Sequence, residues 1–150
     1  MSRLLSARCL LELARLENAA EPRQLLEQAA VWCAQAAAQA PQDEEILSEW
    51  ANILSLLAEK TPDRAEELWA ETARKYEKAA ECSEVSEDRA AVNYHNLAYS
   101  LTCRAELQPP LPKRRQLLAR AALKYEKAAE LNGDNLITLQ NWGDALGYQA

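Results

Sequence analysis

Residues 75–81 read KYEKAAE, and residues 124–130 read KYEKAAE again. A heptapeptide spelled twice in one chain marks two copies of a structural unit set in equivalent surroundings. Both copies sit in stretches rich in Ala, Leu, Glu, Lys and Arg, the residues that lose least on entering a helix. The whole chain of 150 residues keeps that character, with three Gly, no Phe and few β-branched residues. An all-α protein is expected, with no strand.

Breaks in the pattern delimit the unit. They fall at Asn18 to Pro22, Pro41, Thr61-Pro62, Ser83 to Ser86, the QPPLP of 108–112, and Asn132-Gly133-Asp134. Thr61 before Pro62 reads as an N-cap followed by the first helical residue, and Asn132-Gly133 as a C-terminal cap. Seven helices are expected, over about 3–17, 23–40, 42–59, 62–82, 87–106, 112–131 and 134–148. Short connections make neighbours antiparallel. The expected organisation is one domain, 1–150, of hairpins at about 3–40, 42–82 and 87–131 with a terminal helix at 134–148.

The apolar faces alternate between two patterns. Leu47, Trp50, Ala51 and Leu54 on the third helix, Tyr94, Leu97, Ala98 and Leu101 on the fifth, and Leu139, Trp142, Gly143 and Leu146 on the seventh share one spacing: large, large, small, large. Each set is a single helical stripe with a notch that admits a close neighbour. The even helices carry another stripe: Ala29, Cys33 and Ala36; Thr72, Tyr76 and Ala79; Ala121, Tyr125 and Ala128. KYEKAAE is the packing face of the second helix of a repeated hairpin.

These residues resemble the tetratricopeptide repeat family. LQNWGDAL, YHNLAYSL and LSEWANIL look like first helices, and ARAALKYEKAAELNGD, AETARKYEKAAE and AAVWCAQAAAQAP like second helices. The resemblance covers residues 23–148, and 3–17 more weakly. It implies a right-handed solenoid of antiparallel helical hairpins that works by binding other proteins. Leu47 to Thr72 and Tyr94 to Ala121 exceed the family spacing, whereas Ala29 to Leu47 and Ala121 to Leu139 keep it. The hairpins are therefore long and the stacking register normal, similar to the long-helix, plant-type presequence receptor of the mitochondrial outer-membrane translocase.

The family pattern places the ligand groove on the first helices, beside the packing stripe. The groove residues it implies are Ser48, Asn52 and Ser55, then His95, Asn96, Tyr99 and Thr102, then Gln140, Asn141 and Asp144. Asn and Gln offer a donor and an acceptor together, which suits a peptide backbone. Asn52 and Asn96 match the two Asn of repeat domains that grip a chaperone's C-terminal carboxylate. Ser48, Ile137 and Asn141 stand where the basic residues belong, so the charge-assisted bonds to a carboxylate are missing. The expected ligand is instead an amphipathic, mildly basic protein segment, held by a receptor or adaptor, with a targeting-sequence receptor as the sharpest form. The alternative is a structural subunit of a larger assembly with no transient ligand.

Other classes find little support. A net charge of −6 and a pI near 4.9 disfavour nucleic acid, and no apolar run approaches a membrane span of about 18 residues. His95, the single histidine, has no Ser or Cys motif, paired metal ligand or phosphate loop beside it, so no enzyme, metal or cofactor is expected. Cys9, Cys33, Cys82 and Cys103 read as small buried hydrophobes in a reducing intracellular compartment, the cytoplasm or the cytosolic face of an organelle, with an organelle interior as the alternative. Arg3 and Arg8 ahead of the first acid, Glu12, faintly imitate a transit peptide, yet the stretch reads as the first helix. The string from Pro109 through Pro112 to Arg114 has the form of a Src-homology-3 ligand, but turn formation is the plainer reading.

Overall fold

The computed structural model describes residues 2–16, 18, 20–82, 86–108, 112–131 and 141. Among them are six α-helices and no strand: α1 (Arg3–Arg15), α2 (Pro22–Gln39), α3 (Glu44–Lys60), α4 (Ala65–Ala80), α5 (Glu87–Glu106) and α6 (Lys113–Leu131). The expected seventh helix lies outside the described residues, apart from Asn141, which is helical. Pro109, Pro110 and Leu111 of the proline string also lie outside them.

Local chemistry sets the helix starts. Ser2 Oγ accepts from the Leu5 amide at 3.1 Å, Asp43 Oδ1 from Ile46 at 3.2 Å and Ser86 Oγ from Arg89 at 3.3 Å, each satisfying an amide that the first turn leaves open. Glu44 and Glu45, then Glu87 and Asp88, place acids where the helix dipole favours them. Thr61 corrects the expectation. Pro62–Arg64 form one turn of 3₁₀ helix before α4 begins, and Thr61 makes no capping bond. Its Oγ1 is buried with no partner among the described residues. Glu21 holds the left-handed region at φ 50°, ψ 57° just before Pro22, so the chain turns sharply into α2 without a glycine.

Each helix packs on the next along the chain, from α1 on α2 through to α5 on α6. The two stripes explain this. Leu47, Ala51 and Leu54 on α3 and Leu97, Ala98 and Leu101 on α5 are buried, with Trp50 and Tyr94 partly covered. On the even helices Ala29, Cys33 and Ala36, Thr72, Tyr76 and Ala79, and Ala121, Tyr125 and Ala128 are all buried. Ala51 and Ala98 have no accessible surface, as a notch against a neighbouring helix requires.

The repeated lysines also act alike. Lys75 Nζ lies 4.1 Å from the Trp50 ring centroid and Lys124 Nζ 5.8 Å from that of Tyr94, so each caps an aromatic ring of its own hairpin.

Polar bridges tie alternate helices. Arg8 on α1 reaches Glu45 at 2.7 Å and Glu49 at 3.3 Å on α3. Arg89 on α5 reaches Glu44 on α3 at 2.5 Å, and Lys124 on α6 reaches Glu77 on α4 at 3.4 Å. The odd helices thus neighbour one another, and so do α4 and α6.

Candidate functional site

Where α3 meets α5, a cleft of about 280 Å³ opens between Glu44, Ser48 and Asn52 on one side and Asp88, Arg89, Val92, Asn93 and Asn96 on the other, with Tyr76 of α4 joining the lining. Its residues come from the helix faces next to the buried stripes, which fixes their positions to the backbone.

Three amides give the cleft its character. Tyr76 donates its hydroxyl to Asn52 Oδ1, which leaves the Asn52 NH₂ group to the cleft. Burial pushes the Tyr76 phenol well above its usual range, with the nearby Ser55 hydroxyl opposing, so the hydroxyl stays a donor at neutral pH. Asn93 is buried and its NH₂ donates to Glu44 Oε1 at 2.8 Å. Asn96 lies half-buried beside them. Hydroxyl groups are spent locally: Ser48 donates to the Glu45 carbonyl at 3.2 Å, Ser55 to that of Asn52 at 2.7 Å and Thr102 to that of Ala98 at 3.0 Å. What the cleft presents outward is the amides of Asn52 and Asn96, the exposed Val92, and the charged Asp88 and Arg89 at its rim.

The structure brings Ser48, Asn52 and Asn96 to one cleft and places the other expected residues elsewhere. Ser55 sits one turn beyond Asn52, within reach of Tyr76. His95 meets the Tyr125 ring edge-on at 5.5 Å, and burial lowers its pKa. Tyr99 meets Trp69 edge-on at 6.1 Å and lies beside the Cys103 thiol. Thr102 and Asn141 both lie beside the Tyr125 hydroxyl. Gln140 and Asp144 lie outside the described residues. Sequence reasoning missed Glu44, Arg89 and Asn93 as lining residues. Asn93, Leu97 and Ser100 follow the i, i+4, i+7 spacing of a buried face, and that spacing was the available signal for Asn93.

The cysteines divide. Cys33 is buried and Cys82 and Cys103 are half-buried, but Cys9 is exposed, against the expectation that all four are core residues. Helical spacing turns Cys9 away from Ala7, Leu11 and Ala14, the face that α1 buries. Burial pushes the Cys33 thiol up to about 12 and that of Cys103 to about 11. Among the described residues no group of three or more His, Cys, Asp or Glu side chains is placed to hold a metal ion, and no helix is long and apolar enough to cross a membrane.

Compared with known proteins, the chain matches no family model and none of the curated sequences.

Proposed function

We propose that the chain is a tetratricopeptide-like right-handed solenoid and that the cleft between α3 and α5 is part of a groove that holds a peptide or helical segment of another protein. The observation that carries this reading is the fixed amide of Asn52. Its carbonyl end is engaged by Tyr76, so its NH₂ is offered to a main-chain carbonyl beside Asn96 and Val92. The rim favours a mildly basic segment, because Asp88 is exposed there while Arg89 is neutralised by Glu44. Such a module serves as a receptor or adaptor in a reducing compartment, with a targeting sequence as the sharpest candidate ligand. It is a binder rather than an enzyme. Protonated thiols at Cys33 and Cys103 and a His95 that burial keeps neutral are poor starting points for nucleophilic or acid chemistry.

The test is a photoreactive residue at Asn96, with a control at Glu126 on the exposed side of α6. A basic amphipathic peptide is expected to crosslink at Asn96 and not at the control, and Asn52→Leu is expected to weaken its binding about tenfold, the loss of about 1.4 kcal/mol. Equal crosslinking at both positions would rule the groove out. A second reading, a permanent subunit of an assembly, is favoured by the large apolar side chains of Val31 and Leu123 left exposed on other faces.

A further inference from the structure

Charge is divided unevenly along the chain. Helix α6 holds six of the 17 Lys and Arg residues, Lys113, Arg114, Arg115, Arg120, Lys124 and Lys127, but only Glu126 and Glu130 of the 23 acids. The net −6 of the whole is therefore +4 on α6 and −10 elsewhere.

Helical spacing gathers half of these cations on one flank. Arg120, Lys124 and Lys127, at i, i+4 and i+7, line a cavity of about 450 Å³ together with Leu123, Tyr94 of α5 and Glu77 of α4. Leu123 is 63% exposed, the most open large apolar side chain among the described residues. The cations differ in how they are engaged. Lys124 is held between Glu77, at 3.4 Å, and the Tyr94 ring, and this bridge occupies the one acid that lines the cavity. Arg120 and Lys127 form no ion pair among the described residues, whereas Arg8, Arg74, Arg89 and Arg104 each reach a carboxylate.

We propose that this cavity is a second docking site, which takes an acidic helical segment of a partner protein. Its carboxylates meet Arg120 and Lys127, and one apolar side chain between them seats against Leu123 and Tyr94. The spacing suits a helix: Arg120 and Lys127 are two turns apart, a rise of about 10.5 Å, with Leu123 between them. Carboxylates seven residues apart on the partner, with a leucine between, reproduce that order.

Charge and shape together select the partner. Any anion is drawn to the two unpaired cations, but a bilayer or a duplex spreads its charge far beyond the Debye length of about 8 Å, and so also meets the −10 of the remaining molecule. A single acidic segment reaches the cations without that repulsion. The open Leu123 asks for an apolar residue, which a phosphate backbone does not carry. None of these residues lines the cleft of α3 and α5, so the two sites are separate.

The probe is a fluorescent helical peptide of about 15 residues with two Glu seven apart and a Leu between them, against a control with Gln at both Glu positions. In anisotropy titrations the chain is expected to bind the Glu peptide about fivefold or more tightly than the Gln control, a difference that shrinks as salt is raised to about 1 M. Arg120→Glu with Lys127→Glu is expected to weaken that binding about tenfold, and Leu123→Ser to weaken it as well. Arg120→Gln with Lys127→Gln, a gentler change, should act in the same direction with the helical circular dichroism unchanged. The basic amphipathic peptide should bind the charge-reversed chain no more weakly than the original, so failure of the cleft and failure of this site are distinct results. Equal affinity for the Glu and Gln peptides overturns the inference, as does Glu-peptide binding that both double variants and Leu123→Ser leave intact. Tighter binding to vesicles of an anionic phospholipid or to a single-stranded oligonucleotide at the same salt also overturns it, by marking a general anion face.

Discussion

The two copies of KYEKAAE put the same tyrosine to the same use. Tyr76 donates to Asn52 Oδ1, the Tyr125 hydroxyl lies beside Thr102 and Asn141, and both phenols are buried in one apolar cluster. Tyr76→Phe removes one such bond while keeping the ring, so a loss of about 0.5–1.5 kcal/mol in urea unfolding is expected. The same variant releases Asn52, and affinity for a groove peptide is expected to fall with it. His95 governs a pH window. Burial holds its folded-state pKa below the ordinary 6.5, so the unfolded chain takes up the proton first. Stability from neutral His95 is therefore complete above pH 6.5 and declines as pH falls below it. Glu71 acts lower still: burial opposes its ionisation, but hydrogen bonds from Arg74 and Lys75 win and depress its pKa below 4.5. Unfolding measured from pH 7.5 to about 5 isolates the histidine, and His95→Gln is expected to flatten the profile there.

At the scale of the helix, the notch residues carry the most information. Ala51 and Ala98 have no exposed surface, so Ala98→Leu overpacks α5, and a destabilisation of about 1–3 kcal/mol is expected in a denaturant titration. Asp43→Ala removes the cap that accepts from the Ile46 amide, at a cost of about 1 kcal/mol. Both notches, and all three small-large-small stripes of the even helices that were expected to be buried, were legible in the sequence because a helix must turn every third or fourth residue to the core. The start of α4 was not. Thr61-Pro62 has the letters of a cap, but Pro62 opens a 3₁₀ turn, and Thr61 is carried inward where its hydroxyl meets no partner among the described residues. Composition records which residues favour a cap, while the packing of the preceding helix decides whether the side chain can reach back.

Across the whole molecule, the helices form a chain of neighbours with two main apolar clusters. One spans α1 to α4 and the other α3 to α6, so α3 and α4 belong to both. Cys33 lies in the first and Cys9 on the open side of α1. Labelling with a thiol reagent is expected to mark Cys9 at once and Cys33 only at the rate at which the first cluster opens, measured by mass spectrometry along a urea series. Of the eight expected groove residues that lie among the described residues, three, Ser48, Asn52 and Asn96, share one cleft and were readable from helix position alone. His95 and Tyr99 follow the same arithmetic but meet Tyr125 and Trp69 edge-on, His95 half-buried and Tyr99 still 46% exposed.

The tyrosines of α4 and α6 set their hydroxyls against the first helix of their own hairpins: Tyr76 donates to Asn52, and Tyr125 lies beside Thr102. A hairpin thus carries both halves of its own alignment. If the segment encoding α5 and α6 were duplicated in frame, the new copy would bring its internal lock with it and need only a compatible face to stack on. Lineages of such a gene can lengthen by whole hairpins, while point changes that split the tyrosine from its partner are paid within a single unit.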